Sequence, residues 1–149
     1  MMNIENAKRC IAVMERVSKY PARNFDMGTW IAPTEQGLFP VTEGEAFNCG
    51  TSACFLGWLA LAPDIPEIYV RSSGAIVSTS GESGSIILAH LLEISQEDAK
   101  DLCGLGIRLP GDPRYFMGKE TPQDVIDAIN WLIEVYTINP SKRYEDDDA

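Results

Sequence analysis

The sequence predicts a single α+β domain that is mostly helical, with about five helices and a small antiparallel β-hairpin. Three observations favour this fold class. Apolar residues recur at helical spacing in several segments, and two short β-branched runs flank a Ser-Ser-Gly turn. The chain has 149 residues, which is the ordinary length of one domain. We expect residues 1–140 to form that domain and residues 141–149 to be a disordered acidic tail.

The first and last predicted helices have recognisable boundaries. Asn3 is placed to cap a helix that continues to Tyr20, where Pro21 ends it. Thr121 is a capping residue followed by a proline and an acid, a pattern typical of a helix start, and this helix should end before Asn139. The apolar stripes expected to face the core are Ala7, Ile11, Met14 and Val17 in the first helix, and Val125, Ile129, Leu132 and Tyr136 in the last.

Three shorter elements are predicted in the middle of the chain. The hairpin should pair residues 68–71 with residues 75–78. An apolar helix follows over residues 86–94. The capping-box pattern of residues 95–98 then begins another short helix. Its inward residues are expected to be Ala99, Leu102 and Cys103.

Two segments, residues 21–48 and 107–120, are rich in proline and glycine and are interpreted as long irregular loops, the first with a short strand around Trp30. Trp30 in the first loop, and Tyr115 and Phe116 in the second, lie among other apolar residues. Exposed clusters of this kind suit a protein interface. The alternative is that these side chains fold back onto the core.

The chain is strongly acidic, with a net charge of −10 and a pI of about 4.4. Repulsion from phosphates argues against direct nucleic-acid binding, whereas the charge suits a basic protein partner or mimicry of DNA. Solubility alone is the alternative. The residues expected to form an anionic surface are Glu93, Glu97, Asp98 and Asp101, with Asp124 and Asp127 on the last helix.

Two of the four cysteines, Cys49 and Cys54, flank the start of an apolar helix predicted over residues 51–62. With Thr51 as its N-cap, Cys54 would lie at the third helical position, where the helix dipole stabilises a thiolate. His90 is the single histidine, so any Cys/His dyad must use it. A cysteine-dependent hydrolase or transferase is therefore one hypothesis, and it requires a thiol that is alkylated rapidly below about pH 7. The alternative is that both thiols are small apolar core groups.

The sequence predicts no metal site and no cofactor. Its cysteines and histidine are too widely spaced for a zinc site, and no calcium loop, Walker loop, dinucleotide fingerprint or nucleophile elbow occurs. The first residues lack the basic and apolar regions of a signal peptide, and no apolar run is long enough to cross a membrane. We therefore expect a cytoplasmic protein with reduced thiols and no membrane partner.

Two motifs carry a family resemblance. The segments Phe25-Asp26-Met27-Gly28-Thr29-Trp30 and Cys49-Gly50-Thr51-Ser52-Ala53-Cys54-Phe55-Leu56-Gly57-Trp58 resemble small proteins of unknown function that phages and bacteria encode. The pattern shared by those proteins is Cys-Gly-Thr-x-Ala-Cys-x-x-Gly-Trp or -His, with a Gly-Thr-Trp-like element upstream. The helix start at Thr121 also fits, so the resemblance covers residues 3–136. It implies a source in mobile elements rather than a mechanism.

Together these observations lead us to expect a non-enzymatic binding protein of phage or mobile-element type. It would dock on a host protein complex, for example nucleic-acid-handling or defence machinery with a basic surface, and inhibit or modulate it. The rival hypothesis is the hydrolase or transferase that uses Cys49 or Cys54 with His90. A purely structural or assembly role is a third hypothesis. The sequence does not determine the oligomeric state.

Overall fold

The computed structural model describes residues 2–26, 31–33, 37–49, 52–103 and 121–139. These residues form six α-helices and one two-stranded antiparallel sheet, so the predicted fold class is confirmed. The helices are α1 Ile4–Val17, α2 Glu43–Cys49, α3 Phe55–Leu61, α4 Ile86–Leu92, α5 Gln96–Cys103 and α6 Pro122–Ile138. The strands are β1 Ile68–Val70 and β2 Ile76–Ser78. The predicted loop over 107–120 and the predicted tail over 141–149 lie outside the described residues.

The two longest described helices, α1 and α6, pack against each other. Asn3 caps α1, because its Oδ1 accepts a 2.9 Å hydrogen bond from the backbone N–H three residues on. Thr121 and Asp124 begin α6 with a reciprocal capping box, in which each side chain accepts from the other's backbone N–H, at 3.2 and 2.8 Å. α1 ends at Val17, earlier than predicted, because residues 18–20 close into a turn.

The predicted hairpin is confirmed by the pairing of β1 with β2. Tyr69 lies opposite Val77 at the centre of the ladder, and the turn between the strands contains Gly74 at a φ of +85°. The positive φ favours glycine at this position, and a Cβ atom there would lie 2.7 Å from the ring of Phe39, which would have to move. The hairpin packs against α3.

The central helix begins later than the sequence predicts. The N-cap of α3 is Cys54, whereas the sequence placed the cap at Thr51. The preceding residue, Ala53, pairs with Phe25 on one side and with Ile31 on the other. Because these bridges occupy the backbone hydrogen-bonding groups of this segment, the helix cannot extend through it. Every residue of α3 is buried, as expected for the centre of the fold.

A helix that the sequence did not predict, α2, lies within the segment interpreted as a loop. It is short and contains Gly44, so its local helix propensity is low. The carboxylate of Glu43 accepts hydrogen bonds from Nε and Nη2 of Arg16, at 3.2 and 3.0 Å, and from the hydroxyl of Tyr20 at 3.0 Å. Tyr20 also stacks on Phe47, with ring centroids 4.4 Å apart. These contacts with α1 and its C-terminal turn stabilise α2.

The connection from α4 to α5 is sharper than predicted. α4 ends at Leu92 because Glu93 adopts the left-handed conformation, with a φ of 54°. The N–H of Ile94 then bonds back to the carbonyl of Ala89 at 3.1 Å, which is a common way to close a helix. Ser95 accepts from the backbone N–H of Asp98 and begins α5, as the capping pattern predicted.

Within the described ranges, no helix combines the length and the apolar character that crossing a membrane requires.

Candidate functional site

A buried polar cluster joins α6 to the start of α5. The hydroxyl of Tyr136 donates to Oδ2 of Asp98 at 2.6 Å and accepts from the backbone N–H of Ser95 at 2.9 Å. Burial raises the pKa of the Tyr136 hydroxyl, and the hydrogen bond to Asp98 raises it further. All three residues are buried. The cluster therefore determines which side of α5 faces solvent.

This arrangement corrects one residue of the predicted anionic surface. Asp98 is only 8% exposed, because its carboxylate is turned towards the buried cluster. Glu93, Glu97 and Asp101 are exposed, and the last two lie four residues apart on one face of α5. We call these three residues the acidic surface. Lys100 is also exposed on α5, so that helix is not uniformly acidic.

Ion pairs engage both arginines of α1. Arg9 pairs with Glu67 at 3.0 Å, and Arg16 pairs with Glu43 and with Asp64. The hydrogen bonds from Arg16 hold the pKa of Asp64 below its ordinary value, despite the opposing effect of burial. In the described part of the chain, by contrast, Glu93 and Glu97 take part in no ion pair. Among the described residues, no ion pair therefore compensates these two charges of the acidic surface.

Cys54 is not positioned as the hydrolase hypothesis expects. It is the N-cap of α3 rather than its third residue, and it is 2% exposed. Its Sγ accepts from the N–H of Gly57 at 3.5 Å. Burial nevertheless raises the pKa of the Cys54 thiol, since desolvation outweighs the N–H groups that lower it. A nucleophilic cysteine requires a lowered pKa and access to solvent.

His90 lies on α4, as predicted, and its Nδ1 pairs with the carboxylate of Glu82. Its side chain is 51% exposed, in contrast to the buried Cys54. The side chain of Cys49 lies outside what the structure describes, so the pairing of Cys49 with His90 stays a hypothesis. Cys10, Cys54 and Cys103 are present as thiols rather than disulfides.

His90 lines a cleft of about 260 Å³ between the hairpin, α4 and α1, which we call the His90 cleft. Glu82 links the polar groups of the cleft, since the Glu82 carboxylate accepts from Ser80 Oγ at 3.1 Å and from His90 Nδ1. Ser78 Oγ lies 3.0 Å from Ser80 Oγ and accepts from the N–H of Glu82 at 3.1 Å. The remaining lining residues are Asn6, Glu67, Ile68, Thr79, Ile87 and Leu91.

Sequence reasoning selected His90 but missed Glu82 and the two serines. Ser80 and Glu82 lie in the serine- and glycine-rich turn between β2 and α4, where Gly81 and Gly84 have positive φ angles, and Ser78 is the last residue of β2. Such a turn brings hydroxyl and carboxylate side chains close together, and this composition was the available signal. In the residues described here, no three side chains of the His, Cys, Asp or Glu type converge as metal ligands.

The aromatic residues proposed for an interface, Trp30, Tyr115 and Phe116, lie outside the described residues. Their role in an interface stays a prediction.

Comparison with protein-family models, with curated proteins and with solved structures gives no match to this chain. The site must therefore be interpreted from its own geometry and charge.

Proposed function

We propose that this chain is a small binding protein of phage or mobile-element type, which docks through its acidic surface on a basic surface of a host protein complex and inhibits or modulates it. The observation that carries the proposal is the fixed presentation of exposed carboxylates. The buried Tyr136–Asp98 contact orients α5 so that Glu97 and Asp101 point away from the core. Preorganised charges of one sign favour association with a complementary surface.

The distribution of charge supports the same function. The arginines of α1 are engaged in ion pairs with carboxylates of other segments, so they do not neutralise the acidic surface. The whole chain has a net charge of −10, which accelerates encounter with a basic partner. Carboxylates held on a rigid surface also imitate phosphates, so a nucleic-acid-handling or defence complex is the partner class that we propose.

The test is capture of host proteins on the immobilised chain, comparing two variants that change net charge equally. The double variant Glu97→Gln/Asp101→Asn removes two charges of the acidic surface. The control, Glu15→Gln/Glu134→Gln, removes two exposed charges from α1 and α6. We expect the first to reduce the amount of captured partner by about tenfold and the second to leave it nearly unchanged.

Two results would contradict this function. Equal losses in both double variants would show that net charge alone is responsible. Binding that ignores both added salt and competing DNA would exclude mimicry of a nucleic acid, because phosphate-like contacts depend on salt.

A further inference from the structure

We propose that the His90 cleft binds an alkylammonium or alkylguanidinium group. In the cleft, the hydrogen bonds of Ser80 and His90 run in one direction, towards Glu82. Ser80 has one hydroxyl proton and donates it to Glu82, so the contact between the two serines is donated by Ser78. His90 directs its Nδ1 proton to the same carboxylate. This network therefore ends on Glu82, which lines the cleft and whose carboxylate can accept further hydrogen bonds.

Two other side chains contribute polar atoms to the cleft. The Nδ1 proton of His90 is directed to Glu82, so Nε2 is the ring atom that acts as an acceptor when the ring is neutral. Glu67 adds a carboxylate of which only Oε2 is bonded to Arg9. A ligand with several N–H donors matches this set of acceptors, whereas a carboxylate or phosphate ligand does not.

The charge balance of the cleft also favours a cation. Arg9 pairs with Glu67 and directs other donors to Asn6 Oδ1 and the carbonyl of Asp64. Its positive charge is therefore already paired with a carboxylate of the fold. The described partners of the Glu82 carboxylate are the Ser80 hydroxyl and the His90 imidazole. A carboxylate that is only 21% exposed gains most from a cation brought into contact.

The apolar part of the cleft suits a short alkyl chain. Ile68 and Ile87 are buried, Leu91 is partly buried, and all three line the cleft. Its volume of about 260 Å³ lies below the range of about 300–1,000 Å³ that is usual for drug-sized ligands. The expected ligand is therefore a single cationic head on an aliphatic stem. A free amine and the side chain of a lysine or arginine share this chemistry.

The ligand class is tested first on the unaltered protein by nuclear magnetic resonance titration. n-Butylammonium is compared with 1-butanol and with butyrate, which have the same number of carbon atoms and differ in charge. We expect n-butylammonium to shift the signals of the His90 ring and of residues 78–82, with no saturable shift from the other two. Equal binding of butyrate, or shifts spread over all acidic residues of the protein, would overturn the proposal.

A pair of variants separates the cleft from the general charge of the protein. Glu82→Gln keeps the shape of the central side chain and should weaken n-butylammonium binding by about tenfold. Glu134→Gln makes the same change of net charge on an exposed residue of α6 and should leave binding within about twofold. Equal affinities in the two variants would contradict a role for Glu82. The comparison of ligands on the unaltered protein remains decisive if Glu82→Gln does not fold.

The two sources of the cation are distinguished with end-blocked tripeptides Gly-Lys-Gly and Gly-norleucine-Gly. Tighter binding of the lysine peptide than of n-butylammonium would assign the cleft to a side chain of a protein partner. Binding of n-butylammonium alone would assign it to a free amine. Failure of both cations to bind would exclude the proposed ligand class. The cleft residues are distinct from those of the acidic surface, so either proposal can fail without the other.

Discussion

The Tyr136 hydroxyl links α6 to the start of α5 through two buried hydrogen bonds. It satisfies one buried acceptor and one buried donor, the carboxylate of Asp98 and the N–H of Ser95. A buried polar group that loses its partner retains its full desolvation cost. The cluster therefore combines a structural role with a functional one, because it orients the exposed residues of α5.

Replacement of Tyr136 by phenylalanine should lower the free energy of unfolding by about 1–3 kcal/mol, since the ring still fills its site while Asp98 and Ser95 lose a partner. Urea unfolding measures the change. Tyr69→Phe is the matched control, because Tyr69 is 40% exposed, and it should cost less than about 0.5 kcal/mol. A smaller loss for Tyr136→Phe than for the control would contradict the role of the cluster.

Residues with local partners were predictable from the sequence, whereas residues with distant partners were not. Asn3 and Thr121 were identified as caps because the backbone N–H groups that donate to their side chains lie three residues away. Asp98 also fits a local capping pattern, but its side chain bonds to Tyr136, which is 38 residues distant. No local pattern reports such a contact, so Asp98 was wrongly assigned to the anionic surface.

At the scale of elements, α2 shows how tertiary contacts create a helix. Isolated helices of about seven residues are unstable in water. Here the bidentate Arg16–Glu43 contact and the Tyr20–Phe47 stack attach the helix to α1 and its C-terminal turn. The same residues appear as scattered charges and aromatics in the sequence, which is why the segment was interpreted as a loop.

The substitution Glu43→Gln should loosen α2 selectively. It weakens the contacts with Arg16 and Tyr20 by about 1 kcal/mol, so amide hydrogens of α2 should exchange about fivefold faster. Hydrogen exchange with mass spectrometry measures this change, with α6 as the internal reference. Glu15→Gln, on the exposed side of α1, should leave exchange in α2 unaltered. Uniform acceleration of both helices in Glu43→Gln would show instead that α2 opens only with global unfolding.

The start of α3 was predicted at the wrong residue for a related reason. Thr51 is the better N-cap by residue type, but the bridges of Ala53 keep that residue out of the helix, which begins after Cys54. The hairpin and the capped helices α1 and α6 were predictable because their signals are local. The His90 cleft was not, since the turn between β2 and α4 brings its groups together with a helix face.

For the molecule as a whole, the buried thiols lower the free energy of unfolding at alkaline pH. Burial raises the pKa of Cys10 and of Cys103 to about 12, from an ordinary value of 9.0. Above pH 9.0 the unfolded chain loses these protons while the folded chain keeps them. The unfolded state then binds fewer protons, so stability falls as the pH rises from 9.0 to about 12.

We expect the free energy of unfolding to decrease by about 1 kcal/mol per buried thiol between about pH 8 and about pH 10. Urea unfolding at a series of pH values measures the slope. In Cys103→Ala the slope should be shallower, whatever the variant's stability at neutral pH, because one titrating group is removed. Identical slopes in the variant and the unaltered protein would show that Cys103 titrates normally in the folded state.

The packing of α1 against α6 also determines when the chain can complete its fold during synthesis. The two helices are separated by about 100 residues of sequence, and each buries an apolar face against the other. At about 5–20 residues per second, a ribosome adds α6 no sooner than about 5 seconds after α1. Until then α1 lacks a principal packing partner, so the nascent chain exposes an apolar helix face to chaperones and to neighbouring chains.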